Sequence, residues 1–106
     1  MIALARLADI PDPGAIVVTS AGPALIVARR GGDAFAYRNV CPHAGYPLQR
    51  ANGAVLVQEG RYIVCGAHGA SFELDTGACA GGPCDSKARL VPVAVIVRDG
   101  TVWLAA

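Results

Sequence analysis

Two short segments of the chain each place a cysteine close to a histidine. In CPHAGYPL, His43 follows Cys41 by two positions, and in CGAHG, His68 follows Cys65 by three positions. These pairs use both histidines of the chain and two of its four cysteines. Because thiolate sulfur and imidazole nitrogen are common metal ligands, the pattern predicts one metal centre that is held by two loops.

The order of the ligands favours one kind of centre. Zinc fingers typically group two cysteines and then two histidines, whereas each pair is mixed here. In a two-iron, two-sulfur cluster of Rieske type, one iron takes two thiolates and the other takes two imidazoles. A loop that donates one of each therefore contacts both irons. The first alternative is a zinc or mononuclear iron site with the same four ligands. The second is that no metal binds, and that the cysteines are core residues and the histidines ordinary polar residues.

The segments around the pairs predict β-structure throughout. Runs of β-branched and apolar residues alternate with turns that contain glycine, proline and aspartate. Two hairpins, with turns at residues 31–33 and 59–60, lead into Cys41 and Cys65, and Asp99 with Gly100 marks a third hairpin. LVPVAVIV, residues 90–97, is expected to form one strand, and ACAGGPCDS, residues 78–86, is expected to form a loop. No segment shows a sustained helical period, so we expect an all-β antiparallel sandwich or barrel.

Composition narrows the classes of function. The chain has 106 residues, 54% of them hydrophobic, and a formal net charge of +1. These values predict a single domain over residues 1–106 and disfavour nucleic acid as a partner. Prolines and glycines interrupt the apolar stretches and no signal peptide is recognisable, so we expect a cytoplasmic protein outside the membrane. Because thiols stay reduced in the cytoplasm, reduced thiols are the favoured state of Cys79 and Cys84. A disulfide that staples the loop around Pro83 is the alternative.

With these motifs the sequence resembles the Rieske-type ferredoxins and Rieske domains over nearly its whole length. CPHAGYPL and CGAHGASFELDTG match the two ligand boxes of that family, GGPC matches a later loop that shields the cluster, and PVAVIVRDGTVWL matches the closing strands. The resemblance implies antiparallel β-sheets with the cluster-binding loops at one tip. It also implies a [2Fe-2S] cluster with Cys41 and Cys65 on one iron and His43 and His68 on the other.

Departures from the family pattern concern the reduction potential. High-potential members carry an extra cysteine in each ligand box, where this chain has Tyr46 and Ala67. They also carry a serine and a tyrosine that donate to sulfur, where this chain has Ala70 and Phe72. Hydrogen bonds to sulfur stabilise the reduced cluster, so their loss predicts a potential near the low end of the Rieske range. Ser71 is expected to face the opposite side of its strand.

The resemblance implies an electron carrier, and the sequence contains no catalytic motif that would make it an enzyme in its own right. The implied partners are a flavoprotein NAD(P)H reductase upstream and a terminal non-haem iron oxygenase downstream. Their docking is expected to be a small contact around the tip, with Tyr46, Pro47, Leu48 and Pro83 as its apolar part. The alternatives are a Rieske-like small subunit of a larger reductase, of the nitrite reductase type, and a structural zinc module.

Overall fold

The computed structural model describes residues 1–42, 45–67, 69–85 and 87–105. In these ranges the chain forms a short 3₁₀ helix, Leu7–Asp9, and the following strands: β1 Ile2–Arg6, β2 Gly14–Val18, β3 Leu25–Arg30, β4 Asp33–Arg38, β5 Leu56–Gln58, β6 Tyr62–Val64, β7 Ser71–Glu73, β8 Cys79–Gly81, β9 Pro92–Val93, β10 Val95–Arg98 and β11 Thr101–Leu104. Among these described residues, no helix is long and apolar enough to cross a membrane.

The strands form three antiparallel sheets. The first sheet has the order β1-β11-β10, the central sheet has the order β2-β3-β4-β9, and the third sheet has the order β5-β6-β7-β8. Each pairing between neighbouring strands is antiparallel. The structure therefore confirms the predicted all-β fold class.

The central sheet is buried on both faces, which makes the protein a three-layered structure. In β3, four consecutive apolar residues from Leu25 onward are each at most 5% exposed. Ile26 belongs to a core that includes Phe72 of the third sheet. Leu25 and Val27 belong to a second core that includes Val102 of the first sheet. Because successive side chains of a strand point to opposite faces, an unbroken apolar run is what a middle layer requires.

Tyr37 of β4 ties the central sheet to the third. Its buried hydroxyl donates a hydrogen bond of 2.9 Å to the carbonyl oxygen of Leu74, just after β7. Burial, together with the negative charge of Asp75, raises the pKa of Tyr37 to about 12. The phenol therefore stays protonated and keeps this link between the two sheets at physiological pH.

Two predicted hairpins have the expected turns. Arg98 pairs with Thr101 across Asp99 and Gly100, whose φ angles are 52° and 73°. Two successive positive φ angles are typical of a type I′ turn, which matches the twist of the flanking strands. In the same way, Arg30 pairs with Asp33 across the two glycines at positions 31 and 32. Local sequence was sufficient to predict both connections.

Two segments differ from expectation. LVPVAVIV does not form one strand, because β9 pairs with β4 in the central sheet whereas β10 pairs with β11 in the first sheet. The chain thus changes sheets at Ala94. ACAGGPCDS is not only a loop, since its residues 79–81 form β8 against β7. The partner of β9 is β4, far away in the sequence, and the partner of β8 is β7, across a turn. Local strand propensity does not specify which strand a segment pairs with.

Candidate metal centre

The two predicted cysteine ligands lie in separate loops and are both buried. Cys41 lies in the first ligand loop, residues 39–55 between β4 and β5, and Cys65 lies in the second ligand loop, residues 65–70 between β6 and β7. The two residues are 0% and 1% exposed and belong to the same core between the central and third sheets. The other two predicted ligands, His43 and His68, lie outside the described residues.

The backbone around each cysteine follows the same hydrogen-bond pattern. The N–H of Cys41 donates to the carbonyl of Tyr46 at 2.8 Å, and its carbonyl accepts from Gly45 at 2.7 Å. The N–H of Cys65 donates to the carbonyl of Ala70 at 2.7 Å, and its carbonyl accepts from Gly69 at 3.0 Å. Each cysteine is thus bonded to the fourth and fifth residues after it. The two cysteines therefore make the same pair of backbone hydrogen bonds, although the two ligand pairs differ in sequence spacing.

The glycines of these loops have two different roles. Gly45 and Gly69 have φ angles of 74° and 78°, and a Cβ atom there would meet nothing within 4 Å. They are needed for the left-handed backbone of the turn. At Gly66, by contrast, a Cβ atom would lie 2.9 Å from both the Cα of Arg50 and the carbonyl oxygen of Gln49. Gly66 therefore allows the backbones of the two ligand loops to touch.

Replacing Gly66 by alanine is expected to force the two loops apart. The obstructing atoms belong to the backbone and cannot rotate away, so we expect a loss of about 1–3 kcal/mol in the free energy of unfolding. Chemical denaturation, with iron analysis of the purified protein, measures the effect. Gly32→Ala is the matched control, because a Cβ atom at Gly32 meets nothing within 4 Å. Equal stability and iron content in both variants would show that the loops tolerate separation.

Asn39 connects the two loops through a network that sequence reasoning missed. Its side chain is buried, its Oδ1 accepts from the N–H of Leu48 at 2.7 Å, and its Nδ2 donates to Oε1 of Gln49 at 2.7 Å. The carbonyl of Leu48 in turn accepts from the N–H of Gly66 at 3.0 Å. The one available signal was a polar residue between an apolar strand and Cys41, which is too common to single out.

The expectation of reduced thiols at Cys79 and Cys84 is wrong in this structure. The two residues form a disulfide, with Cα atoms 6.1 Å apart. Gly82, at a φ of 75°, turns the chain after β8 and brings Cys84 back beside Cys79. A Cβ atom at Gly82 would lie 2.7 Å from the carbonyl oxygen of Gly69, so residues 79–84 pack closely on the second ligand loop. Neither cysteine belongs to the predicted ligand set.

The surface beside the two ligand loops contains three of the four apolar residues that were expected to form the docking surface. Tyr46 is 54% exposed, and Pro47 and Pro83 are exposed as predicted. Leu48 is 0% exposed and packs in the same core as both cysteines, so its expected place in a docking surface is wrong. Residues of both loops line a shallow depression of about 380 Å³ on this side, among them Tyr46, Pro47, Arg50 and Ala67.

The described half of the site fits the cysteine-bound half of a two-iron cluster. It offers two buried cysteines with the same backbone hydrogen-bond pattern, on loops that touch at Gly66. Among the described residues, no group of three or more histidine, cysteine, aspartate or glutamate side chains is placed so that it could hold a metal ion. The imidazole half of the prediction falls on His43 and His68, outside those ranges.

Comparison with known proteins identifies what the chain is similar to. A ferredoxin from Sphingomonas yanoikuyae B1 is 30% identical, with a TM-score of 0.78 over 99% of this chain and 97% of that one. A structure of reduced oxygenase and oxidised ferredoxin in complex, from carbazole 1,9a-dioxygenase, matches at 26% identity and a TM-score of 0.79, over 98% of this chain and 91% of that one.

A third neighbour has the same fold at lower identity. A structure described as that of a nitrite reductase NADPH small subunit matches at 21% identity and a TM-score of 0.73, over 99% of this chain and 97% of that one.

None of the curated proteins matches the chain. The profile of the Rieske [2Fe-2S] domain matches residues 1–97. The chain therefore belongs to the Rieske [2Fe-2S] domain family, and its cofactor is a Rieske-type [2Fe-2S] cluster.

Proposed function

We propose that this protein is a cytoplasmic one-electron carrier that takes electrons from a flavoprotein NAD(P)H reductase and passes them to a terminal non-haem iron oxygenase. In this proposal residues 1–106 form one domain, Cys41 and Cys65 bind one iron, and His43 and His68 bind the other. When bound, the cluster supplies one-electron transfer. The chain supplies the ligands, a cover that excludes water, and a surface for its partners.

The observation that carries this proposal is the position of the buried cysteines. They sit at the ends of β-hairpins, in loops that touch through Gly66, directly beside an exposed surface. A fully ligated cluster at such a place has no open coordination position for substrate but lies close to a docked partner. Such an arrangement suits electron transfer better than catalysis on a bound molecule.

Two similar structures support an oxygenase as the partner that accepts the electron. A ferredoxin is 30% identical to this chain, and a second neighbour is a complex of ferredoxin and oxygenase at 26% identity. Tyr46, Pro47 and Pro83 provide the exposed apolar residues of the proposed docking surface, and Arg50 adds one positive charge next to Tyr46 and Pro47. A net charge of +1 gives little long-range steering, so we expect a small and transient contact.

Electron transfer between purified proteins tests this function. The protein is reduced anaerobically with NAD(P)H and a catalytic amount of flavoprotein reductase, and is then mixed in a stopped-flow instrument with an oxidised Rieske oxygenase. We expect its visible absorbance to return to that of the oxidised form as about one electron per chain is transferred. Cys65→Ala, which removes a proposed ligand, should neither accept nor donate an electron.

Two results would contradict the proposal. A reduced protein that keeps its electron in the presence of oxygenase but donates it to the large subunit of a nitrite reductase would support the reductase-subunit function. Zinc in place of iron in the purified protein would support a structural module. The nitrite reductase neighbour, at 21% identity, carries only the likeness of fold.

A further inference from the structure

We propose that Asn39 is a positioning residue that sets the separation and orientation of the two ligand loops, and so tunes the cluster. This inference rests on the proposed ligand role of Cys41 and Cys65. Asn39 touches neither iron nor partner in this proposal; it acts through Leu48 and Gly66.

Asn39 is fixed on the side of the central sheet. It follows β4 directly, and its backbone N–H donates to the carbonyl of Ala24, next to β3, at 3.1 Å. Only 8% of its surface is exposed, so its amide group is largely removed from water. Leaving a buried amide without hydrogen bonds is costly, and the Asn39 side chain bonds to the backbone N–H of Leu48 and to the side chain of Gln49.

The side chain of Asn39 holds the segment on which the second ligand loop rests. Its two bonds of 2.7 Å fix the N–H of Leu48 and the amide of Gln49. The next bond runs from Gly66, the residue after Cys65, to the carbonyl of Leu48. The backbone of Gln49 and Arg50 is also what Gly66 packs against. A shift of residues 48–50 therefore moves the loop of Cys65 relative to that of Cys41.

This continuity gives Asn39 an effect that ordinary core packing would not have. Residues that orient metal ligands typically change metal affinity by about 10–100-fold when they are mutated. If Asn39 only filled the core, its replacement would lower stability and leave the electronic structure of the cluster unchanged. If it positions the loops, the spectrum of the cluster changes as well.

The test compares three variants of the full-length protein carrying its cluster. Asn39→Leu removes both side-chain hydrogen bonds at similar volume. Asn39→Asp keeps an acceptor for Leu48, and Gln49 can rotate its amide to donate to the new carboxylate. Asn52→Ala is the matched control, since Asn52 makes the same kind of bond, to the N–H of Ala54 at 3.0 Å, but is exposed.

The readouts are the electron paramagnetic resonance spectrum of the reduced protein and the rate of cluster loss to a chelator. For Asn39→Leu we expect shifted resonance positions and cluster loss about 10–100-fold faster. Asn39→Asp should restore the resonance positions, and Asn52→Ala should match the unaltered protein in both measurements. Lower stability with an unchanged spectrum in Asn39→Leu would overturn the proposal.

A second variant covers the case in which Asn39→Leu does not fold. Gln49→Met removes the amide that Asn39 contacts and leaves the bond to Leu48 in place. Gln49→Met should shift the resonance positions less than Asn39→Leu does, and an unchanged spectrum would again overturn the proposal. Because these measurements need the cluster but no partner, they are independent of which oxygenase or reductase the carrier serves. An unaltered protein without a Rieske signal would instead refute the proposed function.

Discussion

Replacing Cys65 by alanine is expected to yield a colourless protein that retains no iron. Cys65 is 1% exposed, lies in the second ligand loop, and is one of two proposed thiolate ligands of the same iron. Without it that iron loses half of its protein ligands, and the binding energy that couples the cluster to folding is lost as well. Iron content should fall from about two atoms per chain to background, together with the visible absorbance.

The disulfide cysteines provide a matched control for this experiment. The double variant Cys79→Ala and Cys84→Ala removes two cysteines of the same chain that lie outside the proposed ligand set. It should keep its iron and colour, although residues 79–84 would lose their covalent link. Cys65→Ala with a full visible spectrum would remove Cys65 from the ligand set. If only the disulfide variant lost its iron, Cys79 and Cys84 would be ligands and Cys65 would not.

Introducing the hydroxyl groups of high-potential family members should raise the reduction potential. Ala70 and Phe72 are both 0% exposed and lie in the same core as Cys41 and Cys65. The variant Ala70→Ser with Phe72→Tyr would place two donors on this side of β7. Because hydrogen bonds to sulfur stabilise the reduced state, we expect a rise on the order of 100 mV, within a Rieske range of about −150 to +300 mV.

Ser71 is the control for this prediction. It lies between Ala70 and Phe72 but is half-buried, which agrees with the prediction that its side chain faces the other side of the strand. Protein-film voltammetry of Ser71→Ala should give the potential of the unaltered protein. A buried hydroxyl without a partner costs about 1–3 kcal/mol, so the unfolding curve of the double variant is measured in parallel. An unchanged potential in the folded double variant would show that the new hydroxyls do not reach sulfur.

Local sequence was sufficient to predict the family, the cofactor and the class of fold. The four proposed ligands lie in two short segments, and a cluster with one thiolate-bound and one imidazole-bound iron explains why each segment carries one cysteine and one histidine. The hairpin at Asp99 and Gly100 was predictable for a similar reason, since both residues must adopt positive φ angles that few residues tolerate. In these cases the information lies within a few residues of the feature.

The relation between the two ligand loops was decided by tertiary structure alone. The close approach of Gly66 to the backbone of Arg50 and its hydrogen bond to the carbonyl of Leu48 join residues that lie well apart in the chain. The burial of Leu48 and the division of residues 90–97 between two sheets likewise depend on which surfaces meet. Burial and hydrogen bonding between distant segments are set by packing, and a residue's type does not specify its distant partner.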